Sequence, residues 1–310
     1  MTMRAIFFGT PDIAVPSLLA LANVADVVAV VCQPDRPAGR GLKLHAPAVK
    51  SAAADRGLPV VQPSKIRTPE FLAWLTEQRA DVAVVLAYGR ILPASVLAAP
   101  ARGCLNLHAS ILPRYRGAAP INWAVVRGET ETGISLMQMD EGLDTGPVFT
   151  VRRLAIGEDE TAGELAVRLG ALAAQIVGDE VPRVVRGELE TAPQDHAAAT
   201  SAPPLEKAQG RIDWQRTATE VHNHVRGMTP WPSAFTSVDG KHLKVLATRR
   251  SPLQSGEPPG TIVVADSSGV LVACGEGVLE VARAQVEGRK PLDASQLVAG
   301  RTLTLGARLG

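Results

Sequence analysis

Short apolar runs alternate with segments of helical periodicity through the first half of the chain. The apolar runs are Ala5 to Phe8, Val27 to Val31, Val82 to Ala87 and Cys104 to Leu107. The helical segments between them are Val15 to Leu21, Ala48 to Asp55 and Glu70 to Gln78. Continuous apolar strands joined by helices are typical of a parallel sheet covered on both faces. The pattern predicts a doubly wound, Rossmann-type α/β domain whose ligand lies beyond the carboxyl ends of the strands.

The second half of the chain has a different pattern. Thr161 to Glu164 and Thr217 to Glu220 each match a capping box, which predicts that a helix begins there. Beyond a segment rich in Thr, Ala, Pro, Gln and Ser, short apolar strands are spaced by glycine turns, as in a small β-barrel; spacing alone leaves a sandwich possible. The strands expected are Ala234 to Val238, Leu243 to Ala247, Thr261 to Ala265, Val270 to Cys274 and Leu279 to Ala282. We therefore predict a catalytic domain over 1–189, a linker over 190–205 and a barrel over 206–310.

Composition favours a two-domain globular protein. The chain has 310 residues, 46% of them hydrophobic, and its three widely spaced cysteines form no disulfide framework. The first residues enter a strand-like run and no apolar stretch reaches the length of a membrane span, so we expect a cytoplasmic protein with no membrane partner. No long apolar repeat or heptad pattern calls for an oligomer, and a monomer is expected.

The formal net charge is only +1, but its distribution favours nucleic acid more than the total does. No acidic residue occurs from Arg36 to Ala54, a segment that contains Arg40, Lys43, His45 and Lys50. A solvated surface loop is the alternative explanation of such a cluster. The predicted barrel holds 13 Lys and Arg against 10 Asp and Glu, which permits contact with RNA and does not require it.

Three polar residues stand in apolar, glycine-rich surroundings between Cys104 and Pro147. Asn106 and His108 alternate with leucines at the end of a predicted strand, so both side chains point to one side. Asp144 follows in a turn-rich segment. An amide can polarise a carbonyl, an imidazole can transfer a proton and a carboxylate can orient the imidazole or accept a proton. The combination indicates acyl transfer without a metal.

Two other kinds of site are disfavoured. The segment from Phe8 to Asp12 has only one glycine of a dinucleotide fingerprint, and Pro11 lacks an amide donor, which argues against a nicotinamide dehydrogenase. His222 and His224 lie two residues apart on a predicted helix and point to different faces, with no Cys or acidic partner, so no metal site is expected.

The stretch from Cys104 to Pro147, with Phe8 to Asp12 and Gln33 to Gly41, resembles the folate-dependent formyltransferases. The resemblance implies a formyltransferase catalytic domain followed by an OB-like barrel, with 10-formyltetrahydrofolate as donor. It implies as acceptor the α-amino group of methionine on initiator tRNA, with Asn106, His108 and Asp144 as the catalytic residues.

Further site residues are expected from the same resemblance. The run Ser110, Ile111, Leu112 and Pro113 would form a wall of the folate pocket; Ile111 replaces the leucine that is usual there. The acid-free segment that begins at Arg36, which we call the basic loop, would insert at the acceptor end of the tRNA through Arg36, Arg40 and Lys43.

Several alternatives share part of this pattern. Formyltransferases acting on glycinamide ribonucleotide or an amino sugar, and folate-formyl hydrolases, use the same three catalytic residue types but need neither the basic loop nor a basic barrel. A noncatalytic RNA-binding protein of the same fold would keep the loop and barrel and lose the catalytic residues, which are complete here.

Overall fold

The computed structural model describes residues 2–38 and 43–310, and the chain divides into two compact units. The first unit comprises residues 1–118, 132–154 and 166–203. The second comprises residues 119–131, 155–165 and 204–310. Each unit is built around its own sheet.

The sheet of the first unit has seven strands in the order β5-β2-β1-β6-β7-β8-β9. Pairing from β5 to β7 is parallel, and β8 is antiparallel to β7. A two-stranded hairpin, β3–β4, lies outside this sheet. The strands are β1 (Arg4–Gly9), β2 (Asp26–Val31), β3 (Arg36–Ala38), β4 (Lys43–His45), β5 (Val60–Val61), β6 (Val82–Leu86), β7 (Cys104–His108), β8 (Glu131–Gln138) and β9 (Val148–Ala155).

Helices connect these strands and continue beyond β9. They are α1 (Val15–Val24), α2 (Ala48–Asp55), α3 (Pro69–Glu77), α4 (Ala94–Leu97), α5 (Pro120–Val126), α6 (Ala162–Asp179) and α7 (Val181–Val185). The predicted alternation of strand and helix is therefore confirmed, with ends that differ by a few residues.

Burial on both faces explains the continuous apolar runs. All five residues of β6 are buried. In β1, Phe7 and Phe8 are both fully buried although they point to opposite faces of the sheet. Phe71 and Leu75 of α3 pack in the same cluster as Phe8, so this helix covers that face. Burying a large apolar side chain contributes about 1.5–3 kcal/mol, and the sheet is thus the stable frame of the unit.

The antiparallel strand β8 departs from a wholly parallel sheet. Its residue Ser135 pairs with His108, and Gln138 pairs with Leu105, so β8 ends beside the amino-terminal part of β7. The chain then enters a loop of residues 139–147, which we call the Asp144 loop, before β9 begins.

The second unit contains an antiparallel sheet, as predicted. Its hydrogen-bonded path is β10-β11-β14-β13-β12, with β15 paired to β14. Helices α8 and α9 contribute Val221, Val225 and Leu297 to the core beneath this sheet. The elements are α8 (Ala218–Gly227), β10 (Ala234–Val238), β11 (Lys241–Ser251), β12 (Ile262–Asp266), β13 (Gly269–Ala273), β14 (Val278–Val286), β15 (Leu292–Asp293) and α9 (Ala294–Ala299).

Both predicted capping boxes are present. The Thr161 hydroxyl accepts from the Glu164 amide, and the Glu164 carboxylate accepts from the Thr161 amide at 2.9 Å. Thr217 and Glu220 make the same reciprocal pair at the start of α8. These bonds satisfy amide donors that have no partner within the helix.

The segment 190–203, predicted as most of a linker, differs from that expectation because it lies within the first unit. Ala192 exchanges two backbone hydrogen bonds of 2.8 Å with Val148, and the Arg116 amide donates to Thr200 O at 2.8 Å. The composition of this segment suggested a linker, yet its backbone groups form hydrogen bonds with other residues of the first unit.

The described residues contain neither a membrane-spanning helix nor a cluster of metal ligands. Among the helices of those ranges, none combines the length and the apolar character needed to span a bilayer. Over residues 2–38 and 43–310, no group of three or more His, Cys, Asp or Glu side chains is arranged to hold a metal ion.

His222 is a buried structural residue of α8 and is only 2% exposed. Its Nε2 lies 3.1 Å from Glu158 O and its Nδ1 lies 2.9 Å from Thr248 Oγ1. Burial lowers the pKa of His222, and the Arg226 guanidinium lowers it further, against the opposing effect of the Glu158 carbonyl. The folded second unit thus favours the neutral ring.

The second unit should lose stability as the pH falls below about 6.5, the ordinary pKa of histidine. The unfolded chain binds a proton at His222 in that range while the folded chain resists it. The free energy of unfolding therefore decreases as the pH falls. We expect His222→Gln to lower the urea midpoint of unfolding at pH 7.5. Between pH 7.5 and pH 5.5 the midpoint should then fall less in the variant than in the wild-type protein. Equal drops in the two proteins would contradict this assignment.

Candidate active site

Asn106 and His108 lie at the carboxyl end of β7, where strand alternation predicts that both side chains point to one side. Leu105 and Leu107 are buried in the sheet at 0% and 1% exposure. Asn106 is partly buried and His108 is 5% exposed. The strand lies between β6 and β8, and its carboxyl end therefore holds these side chains on a rigid support.

Asp144 reaches these residues because the Asp144 loop folds back along β7. Its Oδ1 lies 3.4 Å from Asn106 Nδ2, and its Oδ2 lies 3.5 Å from His108 Nδ1. The Gly117 amide donates to the same Oδ2 at 2.8 Å. The Asp144 side chain is 13% exposed, so most of its surface faces protein. Asp144 thus contacts both of the other predicted catalytic side chains.

The orientation of the His108 ring follows from its second contact. Nε2 lies 2.9 Å from the carbonyl oxygen of Tyr115, which can only accept a hydrogen bond. Nε2 therefore carries a hydrogen, and Nδ1 is the ring atom that faces the Asp144 carboxylate. Tyr115 holds its carbonyl there with φ of 61°, a left-handed conformation that is uncommon outside glycine.

Asp144 also has a left-handed backbone, with φ of 54°. Asp tolerates that region better than most residues. Gly146 follows, and a Cβ added there would lie 1.9 Å from Gln138 O, so only glycine allows the loop to approach β8 so closely. The sequence Asp-Thr-Gly is explained by this path of the backbone.

The run predicted to contact folate forms the segment directly after β7. Ser110 is fully buried, and its hydroxyl donates to Arg114 O at 2.6 Å. Ser135 Oγ accepts from the Leu112 amide at 3.1 Å and donates to Ser110 O at 2.7 Å. Ile111 and Pro113 are partly exposed, and the Leu112–Pro113 peptide is cis. The Ser110 hydroxyl is thus engaged within the segment.

Two of the three basic residues predicted to bind tRNA, Arg36 and Lys43, belong to the strands of the β3–β4 hairpin. Arg36 begins β3, and its Nη2 lies 3.5 Å from Gln33 Oε1. Arg40 and the side chain of Lys43 lie outside the described residues. Lys50, a further cation of this acid-free segment, is paired with Asp35 at 2.8 Å, and this contact lowers the pKa of the Asp35 carboxyl.

Sequence reasoning missed a polar network at the carboxyl ends of β1, β2 and β6. The Thr10 hydroxyl donates to Tyr88 O at 3.0 Å, and the side-chain Nε2 of Gln33 donates to the same oxygen at 3.2 Å. Arg90 Nε donates to Gln33 Oε1 at 3.1 Å. The signal that could have located these residues is their position directly after three buried strands.

Gln194 was also missed, because nothing in its Thr-, Ala- and Pro-rich segment indicates a role. Its side chain is 8% exposed and contacts the Asp144 loop, with Nε2 2.9 Å from Asp144 O. The Arg116 guanidinium donates to Gln194 Oε1 at 2.7 Å. The folded segment 190–203 therefore supplies part of the wall behind Asp144.

Comparison with known proteins gives a consistent result. Residues 3–180 match the family described as Formyl transferase, and residues 204–302 match Formyl transferase, C-terminal domain. The methionyl-tRNA formyltransferase of Sorangium cellulosum is 66% identical over 310 residues, covering 99% of this chain and 100% of the relative. That of Myxococcus xanthus is 48% identical over 306 residues, covering 98% and 97%.

A solved structure extends the comparison to the fold. The N-formyltransferase from Helicobacter canadensis, in complex with folinic acid and dTDP-3-aminofucose, has a TM-score of 0.69 at 18% identity. The match covers 91% of this chain and 99% of the Helicobacter canadensis chain. Because the identity is so low, the match bears on the fold alone. With both family matches and the full-length relatives, the resemblance found in the sequence is confirmed, and the chain belongs to the formyltransferase family.

Proposed function

We propose that this protein transfers the formyl group of 10-formyltetrahydrofolate to the α-amino group of methionine esterified to initiator tRNA. The full-length relatives named methionyl-tRNA formyltransferase carry this proposal. The convergence of Asn106, His108 and Asp144 at the end of β7 supplies suitable chemistry. An amino sugar as acceptor is not favoured, since the N-formyltransferase solved with dTDP-3-aminofucose is 18% identical to this chain, against 66% for a methionyl-tRNA formyltransferase.

The reaction begins when the lone pair of the amine nitrogen attacks the formyl carbon and the carbonyl oxygen gains negative charge. In our proposal the Asn106 amide donates to that oxygen, a contribution that is worth about 3 kcal/mol for one well-placed donor in other enzymes. The C–N bond to folate N10 then breaks, and N10 takes a proton as the amine nitrogen loses one. The products are N-formylmethionyl-tRNA and tetrahydrofolate.

His108 and Asp144 carry the proton in this scheme. The His108 Nε2 is engaged by Tyr115 O, so Nδ1 and the Asp144 carboxylate are the groups left to serve the reacting nitrogen. The Tyr115 carbonyl orients the ring, and Asp144 accepts the amine proton directly or through a water. Both groups are preorganised by the buried end of β7, which keeps them near the geometry that proton transfer requires.

The remaining substrate contacts are assigned by position. We place the folate against Ser110, Ile111, Leu112 and Pro113, where bonds to Ser135 fix the segment and leave the exposed parts of Ile111 and Pro113 for the ligand. We assign Arg36, Arg40 and Lys43 to the phosphate backbone of the tRNA, because an acid-free basic segment suits phosphate contacts.

The decisive assay combines the protein with 10-formyltetrahydrofolate and either methionyl initiator tRNA or methionyl elongator tRNA. We expect the mass of the aminoacyl product to increase by one formyl group with the initiator tRNA alone. Formylation of a small amine such as an amino sugar in place of the tRNA would overturn the proposal.

Removing the charge of Asp144 should strongly impair the chemical step. We expect Asp144→Asn to lower kcat by about 10²- to 10⁴-fold, the usual contribution of a positioned acid or base. Asp140 is a matched control on the same loop, where its exposed carboxylate accepts from the Thr145 hydroxyl at 2.7 Å. A similar loss of kcat in Asp140→Asn and Asp144→Asn would indicate damage to the loop and not to the catalytic group.

Removing a positive charge from the basic loop should affect the use of tRNA and not of folate. We expect Arg40→Ala to raise KM for tRNA several-fold and to reduce the dependence of binding on salt, since fewer counterions are released. The KM for folate should not change. Arg56→Ala removes an exposed arginine just after α2 and serves as the control; an unchanged tRNA KM in Arg40→Ala would contradict the assignment.

A further inference from the structure

A single buried carboxamide connects the Asp144 loop to the segment 190–203. Gln194 Nε2 donates to Asp144 O at 2.9 Å and to Gly146 O at 2.7 Å, so it bonds to the backbone on both sides of Thr145. On its other side, Gln194 Oε1 accepts from Arg116 Nε and Nη2 at 3.2 and 2.7 Å. Four hydrogen bonds thus converge on one side chain.

The partners of Gln194 fix the direction of its amide. The two loop carbonyls can only accept hydrogen bonds and the Arg116 guanidinium can only donate them. With the amide reversed, its oxygen would face two carbonyl oxygens and its NH₂ group would face a cation. The site therefore requires both a donor and an acceptor at the end of this side chain.

The bonds matter because they fix the backbone on either side of Thr145, directly beside the Asp144 carboxylate. Leu143, immediately before Asp144, is 61% exposed. Asp144 has φ of 54°, a conformation that the surroundings must maintain. Its carboxylate meets the Gly117 amide at 2.8 Å, and its carbonyl meets Gln194, so the residue is held at both ends.

Arg116 completes the connection through its backbone. Its amide donates to Thr200 O at 2.8 Å, and its carbonyl accepts from Ala202 at 2.7 Å, so the residue pairs with the same segment that carries Gln194. Arg116 Nη2 also lies 3.2 Å from His196 Nδ1. The guanidinium is engaged in these contacts.

We propose that Gln194 is a positioning residue of the active site, which holds the Asp144 carboxylate against Asn106 and His108 by fixing the backbone of residues 144–146. The inference rests on the proposed function, because it assigns to Asp144 a role in the chemical step. Gln194 touches no reacting atom and acts through the loop alone. A displacement of about 1 Å in a catalytic group can lower a rate by about 10²-fold, so the effect of losing this clamp should be large.

Two substitutions test the clamp. Gln194→Met keeps the length of the side chain and removes its polar atoms, while Gln194→Glu keeps the acceptor for Arg116 and replaces the donor with an oxygen that repels the two carbonyls. In each variant we expect kcat to fall about 10²-fold. The KM values for folate and tRNA should stay within about 3-fold, because neither ligand contacts residue 194 in the proposal.

Gln78→Glu is the matched control. The Gln78 Nε2 also donates to a backbone carbonyl oxygen of the first unit, that of Trp74 at 2.9 Å, at the end of α3 and without a contact to the Asp144 loop. This variant should retain the wild-type kcat. Thermal unfolding of every protein is measured, and the assays are run below the lowest midpoint.

A double-mutant cycle separates positioning from a general effect on the fold. Once Asp144→Asn has removed the group that the clamp serves, adding Gln194→Met should lower kcat less than 3-fold, since effects of residues that act as a unit are not additive. The same loss in both backgrounds, or a wild-type kcat in Gln194→Met, would overturn the inference. Failure of the wild-type protein to formylate methionyl-tRNA would instead overturn the proposed function.

Discussion

The Asp144 carboxylate joins parts of the first unit that are far apart along the chain. It lies within 3.5 Å of Asn106 and His108, and it accepts from the Gly117 amide. A carboxylate with 13% of its side chain exposed is tolerated only where donors and positive or polarisable groups surround it. The position of the carboxylate depends on this contact set, together with the bonds from Gln194 that fix the backbone of the loop.

The sheet determines where those donors stand. Strand β7 is central enough to be buried on both sides, and alternation directs Asn106 and His108 to one face while the intervening leucines anchor the other. The antiparallel β8 then carries the chain away from the carboxyl edge, and the Asp144 loop has to return along β7. The cost of that return is visible in the left-handed backbone of Asp144 and in the glycine required at 146.

Polar bonds from elsewhere in the first unit compensate for this unfavourable backbone. Ser135 fixes the segment after β7, and Gln194 fixes the loop itself. Each is a buried polar group with its hydrogen-bonding capacity satisfied, and such groups define one geometry more sharply than apolar contacts do. The arrangement gives the site a rigid frame before any substrate arrives, which electrostatic catalysis requires.

The sequence by itself determined the two fold classes, the capped helices and the residues of the candidate trio. Apolar periodicity and capping residues act over a few positions, and the spacing of Asn106 and His108 needs only the alternation of a strand. Only the tertiary structure decided that β8 runs antiparallel, that the segment 190–203 belongs to the first unit and that Gln194 supports Asp144. The physical reason is that a loop carbonyl or a lone amide has no periodic signature: its partner is chosen by proximity in the folded chain, across 50 residues in the case of Gln194 and Asp144.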